Sequence, residues 1–157
     1  MLTTTHPTSV ADLKTNLGEE LGVSGWHDVT QAEVDAFAEA TGDCRWIHTN
    51  PERARTTPFG GTIAHGYYTL SLAPALLAEV VALDRFAMAV NYGLDKLRFP
   101  APLPVGDRVR MRARLDRVDE FPGGATLALT LAFERAGGDK PVCVAEVLYR
   151  VVEEENR

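Results

Sequence analysis

The chain has 157 residues, of which 45% are hydrophobic and 24% are charged, and its formal net charge at pH 7 is -6. This length fits one ordinary domain with a real core, so we expect residues 1–157 to form a single domain. The composition excludes a disordered chain, and the acidic balance argues against a nucleic-acid partner, which surplus lysine and arginine would hold.

Neither the opening sequence nor the cysteines indicate export. MLTTTHPTSVADL has no basic region followed by an apolar run, and no uninterrupted apolar segment approaches the roughly 20 residues that cross a bilayer. Cys44 and Cys143 have the spacing of neither a disulfide framework nor a metal site, so both should be reduced. We expect a cytoplasmic protein that does not enter a membrane.

The first clear helix pattern is TQAEVDAFAEATG. Thr30 should cap its N-terminus, Glu33 should complete a capping box, and Gly42 should end it in the left-handed conformation. Asp43 then opens the loop ATGDCRWIHTN. On a continuous helix, residues five apart point about 140° away from each other, so only a loop lets Asp43 and His48 converge. The buried face is expected to contain Val34, Phe37, Ala38 and Thr41.

The middle of the chain predicts a short turn and then a long helix. In NPERARTTPFGG, Asn50 suits a helix cap and Pro51 the first helical position. TIAHGYYTLSLAPALLAEVVAL then predicts the longest helix, from about Ala64 to Leu83, with a kink or loosened turn at Pro74. This helix is apolar almost all round, so it belongs inside the fold.

From Phe86 onward the hydrophobic pattern has a period of two, which is typical of strands. Strands are predicted in FAMAVNYGLDKLRF, RVRMRARLDRV, ATLALTLAFER and VCVAEVLYRVV, with GWHDV as a further candidate. The short turns FPGG and AGGDK imply antiparallel neighbours. The prediction is an α+β fold in which an antiparallel sheet of about five strands wraps around the long helix.

Asp43 and His48 lie on a loop that leads to the helix start GGTIAHGYY. A helix start offers unpaired backbone N–H groups, and Gly66, without a side chain, lets a ligand oxygen approach them closely. A carboxylate and a neutral imidazole nearby could hold one water, with His48 as base and Asp43 orienting the water and returning a proton. This set fits water addition to a conjugated thioester.

Three segments together, GDCRWIH with NPERA, FGGTIAHGYYTLSL and NYGLDKLRFPAPLPVGDRV, resemble the MaoC-like (R)-specific enoyl-CoA hydratases. The resemblance implies a hot-dog fold, a homodimer, an acyl-CoA or acyl carrier protein substrate, and hydration without a metal or redox cofactor. Asp43 and His48 fall on the catalytic pair of the family, and Gly66 falls on the residue whose amide binds the thioester carbonyl. Arg45 and Trp46 depart from the Asn-Pro of the commoner pattern, which affects the expected loop geometry.

Further substrate contacts are expected outside the pair. Lys96 and Arg98 are candidates for the CoA phosphates, because they lie near the motif in a segment, Asp95 to Arg117, with seven basic and three acidic residues. Tyr67 and Trp46 are candidates for the acyl pocket, and Asn91 is a further candidate contact. The remaining cluster of basic residues is expected to be the solvated face of a strand, namely Arg108, Arg110, Arg112 and Arg114.

Two other functions fit the same residues. A hot-dog thioesterase would direct water to the carbonyl carbon rather than the β-carbon. A non-catalytic subunit of a lipid or polyketide complex would bind the thioester without turnover. Cys44 as a nucleophile is disfavoured, because it would need a base to activate it, and His65 is expected to have a structural role.

Overall fold

A computed structural model of the chain describes residues 4–154 and contains six short helices and six strands there. The helices are α1 (Val10–Lys14), α2 (Gln31–Thr41), α3 (Trp46–Thr49), α4 (Pro51–Ala54), α5 (Gly66–Ser71) and α6 (Ala73–Ala78). The strands are β1 (Glu20–Val23), β2 (His27–Asp28), β3 (Met88–Arg98), β4 (Arg108–Phe121), β5 (Gly124–Arg135) and β6 (Cys143–Val152).

All six strands join one antiparallel sheet in the order β1-β4-β5-β6-β3, with β2 paired to β4 beside β1. The five predicted strand segments are confirmed as β2 to β6. Strand β1 was not predicted, because it has only four residues and contains Gly22 at φ 150°. The inner face of the sheet packs on α5 and α6, as expected of a sheet that wraps a central helix.

The central helix is shorter than the range from Ala64 to Leu83 that the sequence indicated. It begins at Gly66, is interrupted at Leu72 and ends at Ala78. Pro74 lies in the first turn of α6, where its missing N–H and its ring do not disturb the backbone ladder. The interruption expected at this proline is confirmed. Among the described residues, no helix has the length and apolar character to span a membrane.

The start and end of α2 agree with the sequence. Thr30 and Glu33 form both bonds of the capping box, and Gly42 ends the helix at φ 78° while its N–H donates to the Ala38 carbonyl. Val34 and Ala38 are buried as expected. Thr41 is exposed, which corrects the prediction, because it is the last helical residue and its hydroxyl donates to the Phe37 carbonyl.

The strand face with the arginine row is a network of ion pairs. Arg110 and Arg112 both contact Glu134, and Arg112 also reaches Glu20. The alternate residues of β4 are buried, namely Val109, Met111, Ala113 and Leu115. Cys44 and Cys143 are both free thiols, as expected.

Candidate active site

His48 lies on the one-turn helix α3, where the sequence analysis expected only a loop. Its Nδ1 lies 2.7 Å from the carbonyl oxygen of Ile63. Because a carbonyl can only accept, Nδ1 carries the proton and Nε2 keeps its lone pair. Burial lowers the pKa of His48, although the hydrogen bond to Ile63 opposes this effect. The structure therefore favours a neutral imidazole with a free Nε2, as a general base requires.

Asp43 lies three residues before the start of α3, and Arg45 holds it with a two-point ion pair. Arg45 Nε donates to Oδ1 at 2.7 Å and Nη2 donates to Oδ2 at 2.6 Å. These hydrogen bonds hold the pKa of Asp43 at about 2, against the opposing effect of desolvation. Asp43 is consequently a carboxylate at neutral pH.

His65 connects the start of α5 to the loop of Asp43. Its Nε2 donates to the backbone carbonyl of Asp43 at 2.9 Å, and its ring stacks on that of His48 with the centroids 3.8 Å apart. One donor atom from each of Asp43, His48 and His65 lies within 4.8 Å of the other two. Two groups that share one water by hydrogen bonds of ordinary length lie roughly 4.6 Å apart. The Asp43 and His48 side chains are thus close enough to hold one water.

Gly66 is the first residue of α5, so its N–H has no partner within the helix. Within residues 4–154, no carbonyl or side chain outside the helix accepts from this N–H. A Cβ at this position would lie 2.7 Å from Cε2 of Phe99. A side chain at this position would therefore force the Phe99 ring to move, whereas glycine lets the amide lie beneath it.

These groups line one cleft of about 570 Å³. Its polar end contains Asp43, His48 and the start of α5, and apolar side chains such as Phe59, Ile63 and Leu103 line the remainder. A cleft that is mainly apolar with a few convergent polar groups is typical of small-molecule sites.

The other residues suggested by the sequence lie at different distances from this cleft. Tyr67 is part of its lining. Lys96 and Arg98 lie in a neighbouring groove of about 560 Å³ that shares Tyr67 and Phe99 with the cleft. Trp46 is absent from the lining and is covered by the Arg53 guanidinium. Asn91 lines a separate hollow beside Tyr149.

Two residues near the site were not predicted from the sequence: one hydrogen-bonds to the backbone of His48, and the other covers Gly66. Gln31 donates from Nε2 to the backbone carbonyl of His48 at 2.7 Å, and its Oε1 accepts from the Thr62 hydroxyl at 2.6 Å. Phe99 covers Gly66 from a segment 33 positions later in the chain. No motif marks Gln31, whereas Phe99 falls inside a quoted segment but without an assigned contact.

The cluster of Asp43, His48 and His65 has the donor types of a metal site. Both Asp43 oxygens, however, contact the guanidinium of Arg45, and that positive charge opposes a second cation. The arrangement fits the handling of a water better than the binding of a metal.

The family model described as MaoC like domain matches residues 12–128. The 3-hydroxyacyl-thioester dehydratase Z of Mycobacterium tuberculosis (strain H37Rv) is 50% identical over 147 residues, which cover 92% of this chain and 96% of that protein. Nodulation protein N of Rhizobium leguminosarum bv. viciae is 45% identical over 127 residues, covering 80% and 78% of the two chains. The solved (R)-hydratase from A. caviae involved in PHA biosynthesis is 28% identical with a TM-score of 0.69, covering 85% and 94%.

The single antiparallel sheet and the central helix that it wraps define a hot-dog domain. The match to the family model covers most of the chain, and the alignment with the M. tuberculosis dehydratase covers 96% of that protein. The chain belongs to the MaoC-like domain family.

Proposed function

We propose that this chain is a lyase that reversibly hydrates a trans-2-enoyl thioester to the (R)-3-hydroxyacyl thioester. The observation that carries the proposal is the proximity of the Asp43 carboxylate to His48 in a cleft that also contains the Gly66 amide. The dehydratase relative in M. tuberculosis supports the reaction class, and the (R)-hydratase from A. caviae supports the stereochemistry.

In the proposed reaction, Asp43 accepts a hydrogen bond from one O–H of the water, which stays on the oxygen, and His48 Nε2 removes the other proton as the water oxygen bonds to the β-carbon. The electrons of the double bond move to the thioester oxygen, where the Gly66 N–H stabilises the enolate. His48 then returns the proton to the α-carbon and the carbonyl reforms. Dehydration is the same sequence in reverse.

The sequence had suggested that Asp43 returns the proton to the substrate. The ion pair with Arg45 makes Asp43 a poor proton carrier, because it holds the pKa of this carboxyl at about 2. We therefore assign the orienting role to Asp43 and the proton transfer to His48, whose Nε2 is free. Hydration transfers no electrons to an acceptor, so the proposal includes no redox cofactor, and the Arg45 guanidinium on both Asp43 oxygens disfavours a metal.

The substrate carrier is proposed to be CoA, with an acyl carrier protein as the alternative. Lys96 and Arg98 lie in the groove next to the cleft, where their positive charges could contact the CoA phosphates. Tyr67 and Phe99 border both the groove and the cleft, so a thioester arm could run from one to the other.

Direct contacts of Trp46 and Asn91 with substrate stay predictions. The cytoplasmic location likewise stays a proposal.

We also propose a homodimer formed along β3. This strand is an edge of the sheet, and nearly all its residues are exposed, including Met88, Val90, Tyr92 and Leu94. Long apolar edge strands are templates for pairing with another chain. Antiparallel pairing of β3 with its copy would close this edge in a two-fold dimer.

Incubation of the purified protein with crotonyl-CoA tests the function. We expect the absorbance of the conjugated thioester to fall, with (R)-3-hydroxybutyryl-CoA as the product on a chiral column. Release of free CoA at the same rate would instead indicate a thioesterase. Binding of crotonyl-CoA without any turnover would indicate a non-catalytic subunit and would contradict the proposal.

A further inference from the structure

Arg45 contacts the proposed active site through both its side chain and its backbone. The guanidinium takes both oxygens of Asp43, at 2.7 and 2.6 Å. The backbone carbonyl of the same residue accepts from the His48 N–H at 3.0 Å. Arg45 is also the residue that precedes α3, at φ -57° and ψ 137°. One residue therefore joins the carboxylate to the turn that carries the imidazole.

The ion pair leaves Asp43 able to bind a water. An ionised carboxylate has about four lone-pair sites, and the two-point contact occupies only two of them. One Asp43 oxygen also lies within 4.8 Å of a ring nitrogen of His48. The pair therefore need not open before Asp43 can orient a water beside His48.

Arg45 is well placed to orient the Asp43 carboxylate and poorly placed to stabilise the fold. Its side chain is 71% exposed and that of Asp43 is 33% exposed. Exposed ion pairs contribute little to stability. Within the described part of the chain, Asp43 is also the sole hydrogen-bond partner of the Arg45 side chain.

We propose that Arg45 is a positioning residue for the hydration reaction, which fixes the Asp43 carboxylate in the orientation that holds the water against His48. The inference rests on the proposed function and adds a residue to it. Without the guanidinium, the carboxylate can rotate away from His48, and misplacement of a reacting group by a small distance is costly. Arg45 also lines the cleft, but the role assigned to it is positional, because its guanidinium is already engaged by both oxygens of Asp43.

The test compares Arg45→Gln and Arg45→Lys with a matched control, Arg117→Gln. Arg117 pairs with Asp119 two residues away at 2.7 Å on an exposed part of β4, and it does not line the cleft. We expect Arg45→Gln to lower kcat on crotonyl-CoA by roughly 10- to 100-fold without changing KM. Arg45→Lys should recover part of this loss, because an ammonium supplies charge but not the two-point geometry. Arg117→Gln should behave as wild type.

A pH profile and a melting curve separate this role from a structural one. Arg45 is the main cause of the lowered pKa of Asp43, and it adds a small lowering effect to that of burial on the pKa of His48. Removing it should therefore move the acid limb of kcat/KM to higher pH, while the melting temperature stays unchanged. Asp43 and His48 also affect each other's pKa, and His65 lowers the pKa of both.

Three results would overturn the inference. Wild-type kcat with an unmoved acid limb in Arg45→Gln would show that the ion pair does not position Asp43. A rise in KM alone would make Arg45 a substrate-binding residue. Wild-type protein that does not hydrate crotonyl-CoA would overturn both this inference and the proposed function. If the inference alone fails, the wild type is active and Asp43→Asn is impaired, but Arg45→Gln is not.

Discussion

His48 combines a buried ring with a fixed tautomer. Its Nδ1 donates to the Ile63 carbonyl, and its own backbone carbonyl accepts from Nε2 of Gln31. Protonation at Nε2 would place a charge in a poorly solvated site, which is why burial is the main cause of its lowered pKa. The imidazole is thereby kept in the form that can take a proton.

This shift predicts the acid limb of the pH profile. If neutral His48 is the base, kcat/KM falls as pH drops through the pKa of His48 in the free enzyme. Because that pKa lies below its ordinary value of about 6.5, the midpoint should also lie below about 6.5. The lowered pKa of Asp43, at about 2, places its titration at much lower pH. A midpoint above 6.5 would contradict the assignment of His48.

Gly66 has two features that must be tested apart, its N–H and its lack of a side chain. The backbone of His65, at φ -61° and ψ 143°, suits a following proline, and the first helical position tolerates one. Proline at Gly66 would thus remove the N–H without breaking α5. The ring of Phe99 obstructs any side chain there, so it must be truncated in the same protein.

We predict that Gly66→Pro with Phe99→Ala has a kcat about 100- to 1000-fold below that of Gly66→Ala with Phe99→Ala. Both double variants relieve the contact with the ring, and only the first lacks the amide hydrogen. Steady-state kinetics with crotonyl-CoA give the comparison. Equal kcat values would mean that Gly66 serves packing alone.

At this scale, the sequence predicts residues that belong to a local motif and misses contacts between distant segments. Asp43 and His48 are five positions apart, and the structure brings them together. The contact of Gly66 with Phe99 and that of Gln31 with His48 depend on how separate segments pack. Neither hydrophobic period nor spacing contains that information.

Among the elements, α2 has the most direct effect on the site, because its left-handed end turns the chain into Asp43. Gly42 adopts φ 78°, which an L-residue with a side chain adopts only at a cost. A Cβ there would meet nothing within 4 Å, so the cost of a substitution arises from the backbone alone. The helix end and the orientation of the loop that carries Asp43 depend on the same residue.

We predict that Gly42→Ala lowers the free energy of unfolding by about 1–2 kcal/mol, as measured by urea denaturation. Gly42→Asn should cost less, because asparagine tolerates the left-handed region better. Gly61→Ala is the control, since Gly61 also has open space around it but no positive φ. A cost for Gly42→Ala no larger than that of Gly61→Ala would show that the left-handed turn is not needed.

The sequence predicts elements whose ends carry their own signals. The capping box of Thr30 and Glu33 and the glycine after Thr41 define α2 to the residue. The central helix has no such signal at its C-terminus, so its apolar run suggested a range to Leu83 although α6 ends at Ala78. Strand β1 is too short for a periodic pattern and exists because β4 offers it a partner.

On the scale of the whole molecule, the sheet has two unequal edges. One is formed by the short strands β1 and β2, and the other is the eleven-residue strand β3. An exposed edge with a row of apolar side chains is prone to pair. The architecture could be predicted from the sequence, because the strand pattern and short turns leave few alternatives. Whether the protein forms a dimer depends on a second chain. The single-domain extent of residues 1–157 likewise stays a prediction.

We predict that Leu94→Lys converts the proposed dimer into a monomer, because it places a charge in the paired edge. Leu17→Lys is the matched control, since Leu17 is 46% exposed and Leu94 is 45% exposed, but Leu17 lies near β1 rather than on β3. Sedimentation velocity at several concentrations distinguishes the states. A monomeric wild type, or a Leu94→Lys variant that still dimerises, would contradict the edge pairing.

The central claim is that Asp43 and His48 act on one water, and it is tested most directly by single-residue kinetics. Hydration of crotonyl-CoA should be followed for wild type, Asp43→Asn and His48→Gln at saturating substrate, with circular dichroism to verify folding. Both substitutions should lower kcat by at least about 100-fold, the scale of a general acid or base. A folded variant of either kind that retains most of the wild-type activity would contradict the claim.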